Sequence, residues 1–294
     1  MGQKTANCGP VSTKNKTISM TSGFADLGTH KIFYKIRGSG PKLLLISGTN
    51  SDTRHSPSIY DVPNADQFEI LTFDHRGMGQ SSAPESVPET PLSMHSYADD
   101  IARLLDHVGW QKTSVVAVSF GGMVAQHFAL RHPQKINRLA LCCTSSGGAG
   151  GSSYPLHDLI DYSAEDYAKF IMKYMNITHD DAWQATNPRR AQKEYEFFLQ
   201  GAKDSHSTPE KLAAMKAQFT VRASHDCYDA LTTLTIPCLV ACGADDGVAP
   251  PENSRALADI IPAAQLKIFK GGHMFLKEDA SAWPALFNFL KDRP

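Results

Sequence analysis

From residue 30 the chain alternates short apolar runs with helical patterns, and that order leaves few folds open. Residues 31–36 alternate apolar and polar as an edge strand would. The runs 42–47, 68–73, 114–118, 138–142, 237–241 and 265–269 are continuous and apolar, the pattern of strands buried on both faces. Over 96–108, Ile101, Leu104, Leu105 and Val108 fall on one helical stripe. Residues 120–132 read as a helix that Pro133 ends, and 254–261 and 280–290 complete the set. Strand and helix in alternation predict an α/β fold, a mostly parallel sheet with helices on both faces.

The alternation fails over 146–232. This stretch opens on Gly147, Gly148, Gly150 and Gly151 among serines, a hinge composition. Helical patterns follow at 164–175, 189–202 and 209–224. The stretch holds 11 of the chain's 26 aromatic residues, enough for a small core of its own with two or three left to face a pocket. The expected organisation is a flexible N-terminal tail over 1–20, a core over 21–145 and 233–294, and an inserted helical lid over 146–232.

Charge and cysteine usage narrow the function classes. Lys plus Arg number 29 against 30 Asp plus Glu, so no basic excess supports a nucleic-acid or anionic-membrane partner. No apolar run approaches the length of a membrane-spanning helix, and the first 30 residues lack a secretory apolar region. The six cysteines show neither a CxxC pair nor a Cys/His ligand spacing, so neither a metal site nor a disulfide framework is expected. A cytoplasmic protein fits this usage. The alternative is organelle targeting through the tail, where Lys4, Lys14 and Lys16 precede the first acid, Asp26.

One segment carries the chemistry. In Ser114-Val115-Val116-Ala117-Val118-Ser119-Phe120-Gly121-Gly122 an apolar strand ends at a serine and a helix begins at once. So sharp a turn forces the serine outward at the carboxyl edge of the sheet, and Ala117 and Gly121 relieve crowding there. Ser145 and Ser146 also precede glycines at the same spacing, but no helix follows them. A serine hydroxyl needs a base to act as a nucleophile at neutral pH. His273 follows the last strand on the glycine loop 270–272, which returns to the same edge; His225, in the segment leading back from the lid, is the second choice. His127 and His132, on the helix after Ser119, cannot reach back to its start. The base needs an orienting acid, and Asp245 and Asp246 both follow a buried strand. Asp246 is favoured, with Asp245 assigned to a turn hydrogen bond. A tetrahedral intermediate needs two donors: the N–H of Phe120 and one from the loop Ser47-Gly48-Thr49-Asn50, Thr49 first and Asn50 next.

At this point the sequence resembles the α/β-hydrolase fold superfamily, in its lidded branch of esterases, enol-lactonases, non-metal haloperoxidases and carbon–carbon hydrolases. The resemblance rests on Ser47-Gly48-Thr49, Asp74-His75-Arg76-Gly77-Met78-Gly79-Gln80-Ser81, Ala117-Val118-Ser119-Phe120-Gly121-Gly122, Gly243-Ala244-Asp245-Asp246 and Gly272-His273, and spans about residues 25–294. The order Ser119, Asp246, His273 is the superfamily's. The resemblance implies Ser119 as nucleophile, His273 as base, Asp246 as orienter, Thr49 and Phe120 as oxyanion donors, and a structural role for His75 and Arg76. Two positions depart from the pattern: Ser47 replaces the usual histidine and Ala117 the usual glycine. A serine at 119 argues against epoxide hydrolase or dehalogenase chemistry, which uses a carboxylate nucleophile. The expected function is a cofactor-free serine hydrolase acting on a small, largely apolar ester or lactone. The same triad also suits a carbon–carbon hydrolase or a perhydrolase, and a non-catalytic ligand receptor is the alternative of another class. The partner is a small-molecule substrate; the oligomeric state is left open.

Overall fold

The computed structural model describes residues 20–56, 58–63, 65–82 and 92–291. Cys8 and the lysines 4, 14 and 16, on which the tail readings rest, lie outside the described residues.

Eight strands form one sheet: β1 (Met20–Asp26), β2 (Lys31–Gly38), β3 (Lys42–Ile46), β4 (Glu69–Phe73), β5 (Thr113–Val118), β6 (Ile136–Cys142), β7 (Cys238–Gly243) and β8 (Gln265–Phe269). Their order is β1-β2-β4-β3-β5-β6-β7-β8. β1 and β2 pair antiparallel, as do β2 and β4, and every pair from β4 to β8 is parallel. Helices α1 (Met94–His107) and α2 (Phe120–Arg131) connect the central strands. Helices α3 (Ala164–Met175), α4 (Asp181–Thr186), α5 (Pro188–Ser205) and α6 (Pro209–Ala223) fall between β6 and β7; α7 (Pro251–Ile260), α8 (Phe275–Glu278) and α9 (Ala282–Lys291) follow β7 and β8.

The continuous apolar runs do serve two faces. Leu44, Ile46, Val115 and Ala117 point into a core shared with Tyr97, Ile101 and Leu105 of α1 and Val124 and Phe128 of α2. Their neighbours Leu43, Leu45 and Val116 point the other way, onto Trp283, Leu286 and Leu290 of α9. Side chains alternate across a strand, so a strand buried on both faces must be apolar at every position. A third cluster joins Leu156, Leu159, Ile171, Met215 and Phe219 to Val248 from the loop after β7, with Tyr154, Tyr167, Phe170 and Phe198 packed around it.

Two expectations need correction, and two elements were not expected. The segment 31–36 is not an edge strand, because β1 pairs along its outer side. β1 escapes sequence detection because Ala25 is its one fully buried residue, so it shows no apolar periodicity. β8 is not buried on both faces: Gln265, Lys267 and Ile268 are exposed on the far edge of the sheet, and Phe269 alone is buried. Helix α4 carries too few apolar residues to show a stripe, and its start is fixed by Asp180, which accepts from the Trp183 amide at 2.8 Å. No helix among the described residues is long and apolar enough to cross a membrane. The five described cysteines are free and buried.

Burial sets the acid sensitivity of this fold. Desolvation lowers the pKa of His75 to about 4, of His127 to about 3 and of His225 to about 4, from an ordinary 6.5. The folded chain therefore refuses protons that the unfolded chain accepts below pH 6.5, and stability falls as pH drops toward 4. Asp74 opposes this. Burial raises its pKa to about 6, so between about pH 6 and 4 the folded chain takes up that proton first. Three imidazoles against one carboxyl leave a net loss of about 1–3 kcal/mol per pH unit. Thermal unfolding followed from pH 7 to pH 4.5 with a chelator present is expected to show a steadily falling Tm. A flat or rising Tm contradicts the assignment of neutral buried imidazoles.

Candidate active site

The turn from β5 into α2 puts Ser119 at φ 55° and ψ −122°, a strained conformation for a residue with a side chain. The surroundings hold it there. The Ser119 amide donates to the Cys142 carbonyl at 2.9 Å, and the Ser119 carbonyl accepts from the Gly122 amide and the Thr144 hydroxyl, both at 2.8 Å. The hydroxyl makes no cap bond to α2, so it is not spent on the helix. Small residues are obligatory next to it. A Cβ on Gly121 would stand 2.4 Å from the Ser47 carbonyl oxygen, and one on Gly122 would stand 2.7 Å from the Thr144 side chain. Gly48 lies so close that its Cβ position is 3.3 Å from Cβ of Ser119.

His273 arrives from the loop after β8. Its amide donates to the Met175 carbonyl at 2.6 Å, and Gly272 leaves no room for a side chain, since a Cβ there would meet the same oxygen at 1.9 Å. The loop thus approaches closely at its glycines, as expected. Nδ1 of His273 donates to Oδ2 of Asp246 at 2.8 Å, and both side chains are buried. Asp246 also accepts from the amides of Val248 and Ala249 at Oδ1, each at 2.8 Å. The turn hydrogen bonds assigned to Asp245 are therefore made by Asp246, the residue at the end of the turn. Asp245 contributes its backbone instead: its amide donates to Gly271 and its carbonyl accepts from Ile177. Cys143 donates from Sγ to the His273 carbonyl at 3.2 Å. Burial, with the charge of Asp246 adding to it, raises this thiol well above its usual pKa, so it remains a thiol.

Ser119 and His273 line one cavity of about 830 Å³. Three aromatic residues from 146–232 reach it, Tyr167, Phe197 and Phe198, with Leu156, Ile171 and Met175 beside them. His225 is not among its lining residues. Its Nε2 donates to the Ser145 carbonyl at 3.0 Å and its Nδ1 meets Nε2 of His127 at 3.1 Å, which removes it as a second candidate base.

The loop 47–50 lies over Ser119 and is braced from three sides. The Tyr60 hydroxyl donates to Oγ of Ser47 at 2.7 Å, Nε2 of His75 donates to the Ser47 carbonyl at 3.2 Å, and the Asn50 amide donates to Oε1 of Gln218 at 3.1 Å. Ser47, where the resemblance calls for histidine, is thus held at both its hydroxyl and its carbonyl. Asn50 sits at φ 56° and its amide is engaged by Gln218, which takes it out of contention as a free donor. The Thr49 amide donates to no group among the described residues and borders the cavity. Phe120 is fully buried against the rings of His75 and Tyr97, and its amide opens the first turn of α2. Arg76 forks onto Asp100 through Nε and Nη2 at 2.7 and 2.6 Å, a structural pair.

Two bracing residues, Tyr60 and Gln218, carry no sequence signal. Gln218 lies within α6, fully buried, with Nε2 lacking a partner; the same is true of Oγ1 of Thr49 and Oδ1 of Asn50. Buried polar atoms left unpaired beside a cavity are atoms that a bound ligand or water can satisfy.

Comparison with known proteins follows the same lines. The family model for the alpha/beta hydrolase fold matches residues 41–280. A poly(3-hydroxyalkanoate) depolymerase of Ectopseudomonas oleovorans is 28% identical over 227 residues, covering 76% of this chain and 75% of its own. A proline iminopeptidase of Lactobacillus helveticus is 25% identical over 288 residues, covering 90% of this chain and 95% of its own. Among solved structures, the enol-lactonase from Burkholderia xenovorans LB400 superposes with a TM-score of 0.72 at 21% identity, covering 92% of this chain and 100% of that one.

Proposed function

Because the chain belongs to the alpha/beta hydrolase fold family, we propose that it is a cofactor-free serine hydrolase that cleaves a small, largely apolar ester or lactone through an acyl-enzyme on Ser119. One observation carries the reading: His273, hydrogen-bonded to the buried Asp246, lines the same cavity as Ser119. In this scheme His273 takes the Ser119 proton as the hydroxyl attacks the carbonyl. Asp246 fixes the imidazole with its proton on Nδ1, which leaves Nε2 free to accept. The amides of Thr49 and Phe120 receive the developing oxyanion. The leaving group departs with the proton from His273, and water then hydrolyses the acyl-enzyme by the same route. Helices α3–α6, with residues 146–232 around them, act as the lid. Their apolar contribution to the cavity favours an apolar acyl or alcohol part.

The test is labelling by a fluorophosphonate probe together with turnover of p-nitrophenyl esters and simple lactones. Labelling with ester or lactone turnover supports the reading. A protein that neither labels nor turns over any of them overturns it. Dienoic diketones, peroxide-dependent bromination and proline p-nitroanilide belong in the same panel, because the triad alone does not choose among acceptors and leaving groups. Tight ligand binding without turnover would point to a receptor.

The bracing of loop 47–50 gives a further prediction. Gln218→Met keeps bulk but removes the acceptor for the Asn50 amide. The freed loop should lower kcat by about 10–100-fold, with KM changed less, because the Thr49 donor loses its position in the transition state. Gln218→Glu restores an acceptor and should recover most of the loss. Equal effects of the two substitutions would show that the amide contact is not what matters.

A further inference from the structure

A second group of reactive side chains lies where the segment after α6 meets α2. Nε2 of His127, Nδ1 of His225 and Sγ of Cys227 all lie within 4.8 Å of one another, and all three residues are buried. His127 is about 12 Å along α2 from Ser119, at 1.5 Å per residue. None of the three lines the cavity that holds Ser119 and His273.

The local hydrogen bonds prepare these atoms for ligation. Nε2 of His225 donates to the Ser145 carbonyl at 3.0 Å, which fixes the proton on that nitrogen and leaves Nδ1 with a bare lone pair. A carbonyl holding the far N–H of an imidazole is the usual outer support of a metal-bound histidine. At 3.1 Å, Nε2 of His127 already stands close to the separation of about 3.4 Å that two imidazole nitrogens take on a tetrahedral zinc ion. A fourth oxygen is at hand. Gln126 donates both of its Nε2 hydrogen bonds to carbonyls, those of Gly122 and Ser145, so Oε1 is turned toward Cys227 and accepts from its thiol at 3.2 Å.

We propose that His127 Nε2, His225 Nδ1 and Cys227 Sγ, with Oε1 of Gln126 as a fourth ligand, form a binding site for one divalent transition-metal ion of the zinc type. Two imidazoles and a thiolate are the donor set that such ions prefer. Binding shifts the His127 proton from Nε2 to Nδ1, forms the metal–sulfur bond and releases one proton, from Cys227. The ion ties the segment that leads out of α6 to the middle of α2, so it fastens helices α3–α6 to the sheet. It takes no part in the reaction proposed at Ser119, and the two readings fail separately.

Titration of the chelator-treated full chain with Co²⁺ tests the site. One equivalent is expected to raise a thiolate-to-cobalt charge-transfer band together with the intense visible bands of a four-coordinate ion. Zn²⁺ is expected to bleach those bands and to raise Tm. Cys227→Ser should abolish the charge-transfer band, and His225→Gln should weaken binding by more than about 100-fold. Cys143→Ser is the control, because Cys143, Asp246 and His273 are the other described group with ligand atoms this close together. Should the variants not fold, Zn²⁺ protection of wild-type thiols from N-ethylmaleimide, read peptide by peptide, gives the same answer: Cys227 protected, Cys143 unaffected. The proposal is overturned if no band develops, if the band survives Cys227→Ser or is lost in Cys143→Ser, or if Zn²⁺ leaves Cys227 as reactive as before.

Discussion

Ser119→Ala is expected to lower kcat for any substrate the protein turns over by at least about 10⁴-fold and to abolish fluorophosphonate labelling. The size follows from what is removed. In the proposed mechanism the hydroxyl is the atom that forms the covalent bond, and without it the proposed oxyanion donors and the cavity can still bind but have nothing to add to the carbonyl. The fold should survive. Oγ makes no cap bond to α2, and the strained backbone at φ 55° is held by the Cys142 carbonyl, the Gly122 amide and the Thr144 hydroxyl, none of which the substitution touches. Circular dichroism and Tm should therefore match the parent within a few degrees, and a competitive ligand should bind as before. Adding His273→Ala to Ser119→Ala should cost little more, because residues that act as one unit are not additive. Activity of the single variant within about 100-fold of the parent would remove Ser119 from the mechanism.

How much of this was legible before the structure depended on how local each feature is. Helix 164–175 is reproduced to the residue, because an amphipathic stripe is written in consecutive positions; strand 265–269 has the expected bounds but not the expected burial. The serine turn was equally local, since strand, serine and helix follow one another without a gap. His273 was legible at one remove, through the strand that delivers it and the glycines that let its loop close on Met175. Asp245 and Asp246 are harder to tell apart in sequence, because two adjacent carboxylates differ only in which one the turn points inward. What stayed hidden was pairing across the chain. Gln218 meets Asn50 over 168 positions, and nothing in the helical pattern of α6 singles it out. Tyr60 likewise takes the place beside Ser47 through a loop with no periodicity at all. The meeting of His127, His225 and Cys227 carries no sequence signal for the same reason: ligand spacings are local, whereas His127 and His225 come together over 98 positions.

Asp246→Asn should lower kcat by about 10³–10⁴-fold while leaving the backbone where it is. The argument turns on hydrogen-bond direction. Oδ1 of Asp246 accepts from two buried amides, Val248 and Ala249, and Oδ2 accepts from Nδ1 of His273. An asparagine offers one acceptor and one donor. Turning its NH2 toward the two amides would set donor against donor in a buried turn and leave both amides unpaired, at a cost of about 1–3 kcal/mol each. The carbonyl oxygen therefore stays on the amides and the NH2 faces His273. Nδ1 must then accept, so the imidazole proton moves to Nε2, the nitrogen that in the proposed mechanism takes the proton from Ser119. The variant should keep its geometry but hold His273 in the wrong tautomer for the proposed proton transfer. Labelling by a fluorophosphonate should slow in proportion to kcat, because it needs the same proton transfer, while KM changes little. Asp245→Asn is the matched control: its backbone, not its carboxylate, contacts Gly271 and Ile177, so kcat should stay within about threefold. The reverse ranking of the two variants would hand the orienting role to Asp245 and break the link between the hydrogen-bonded turn and the base.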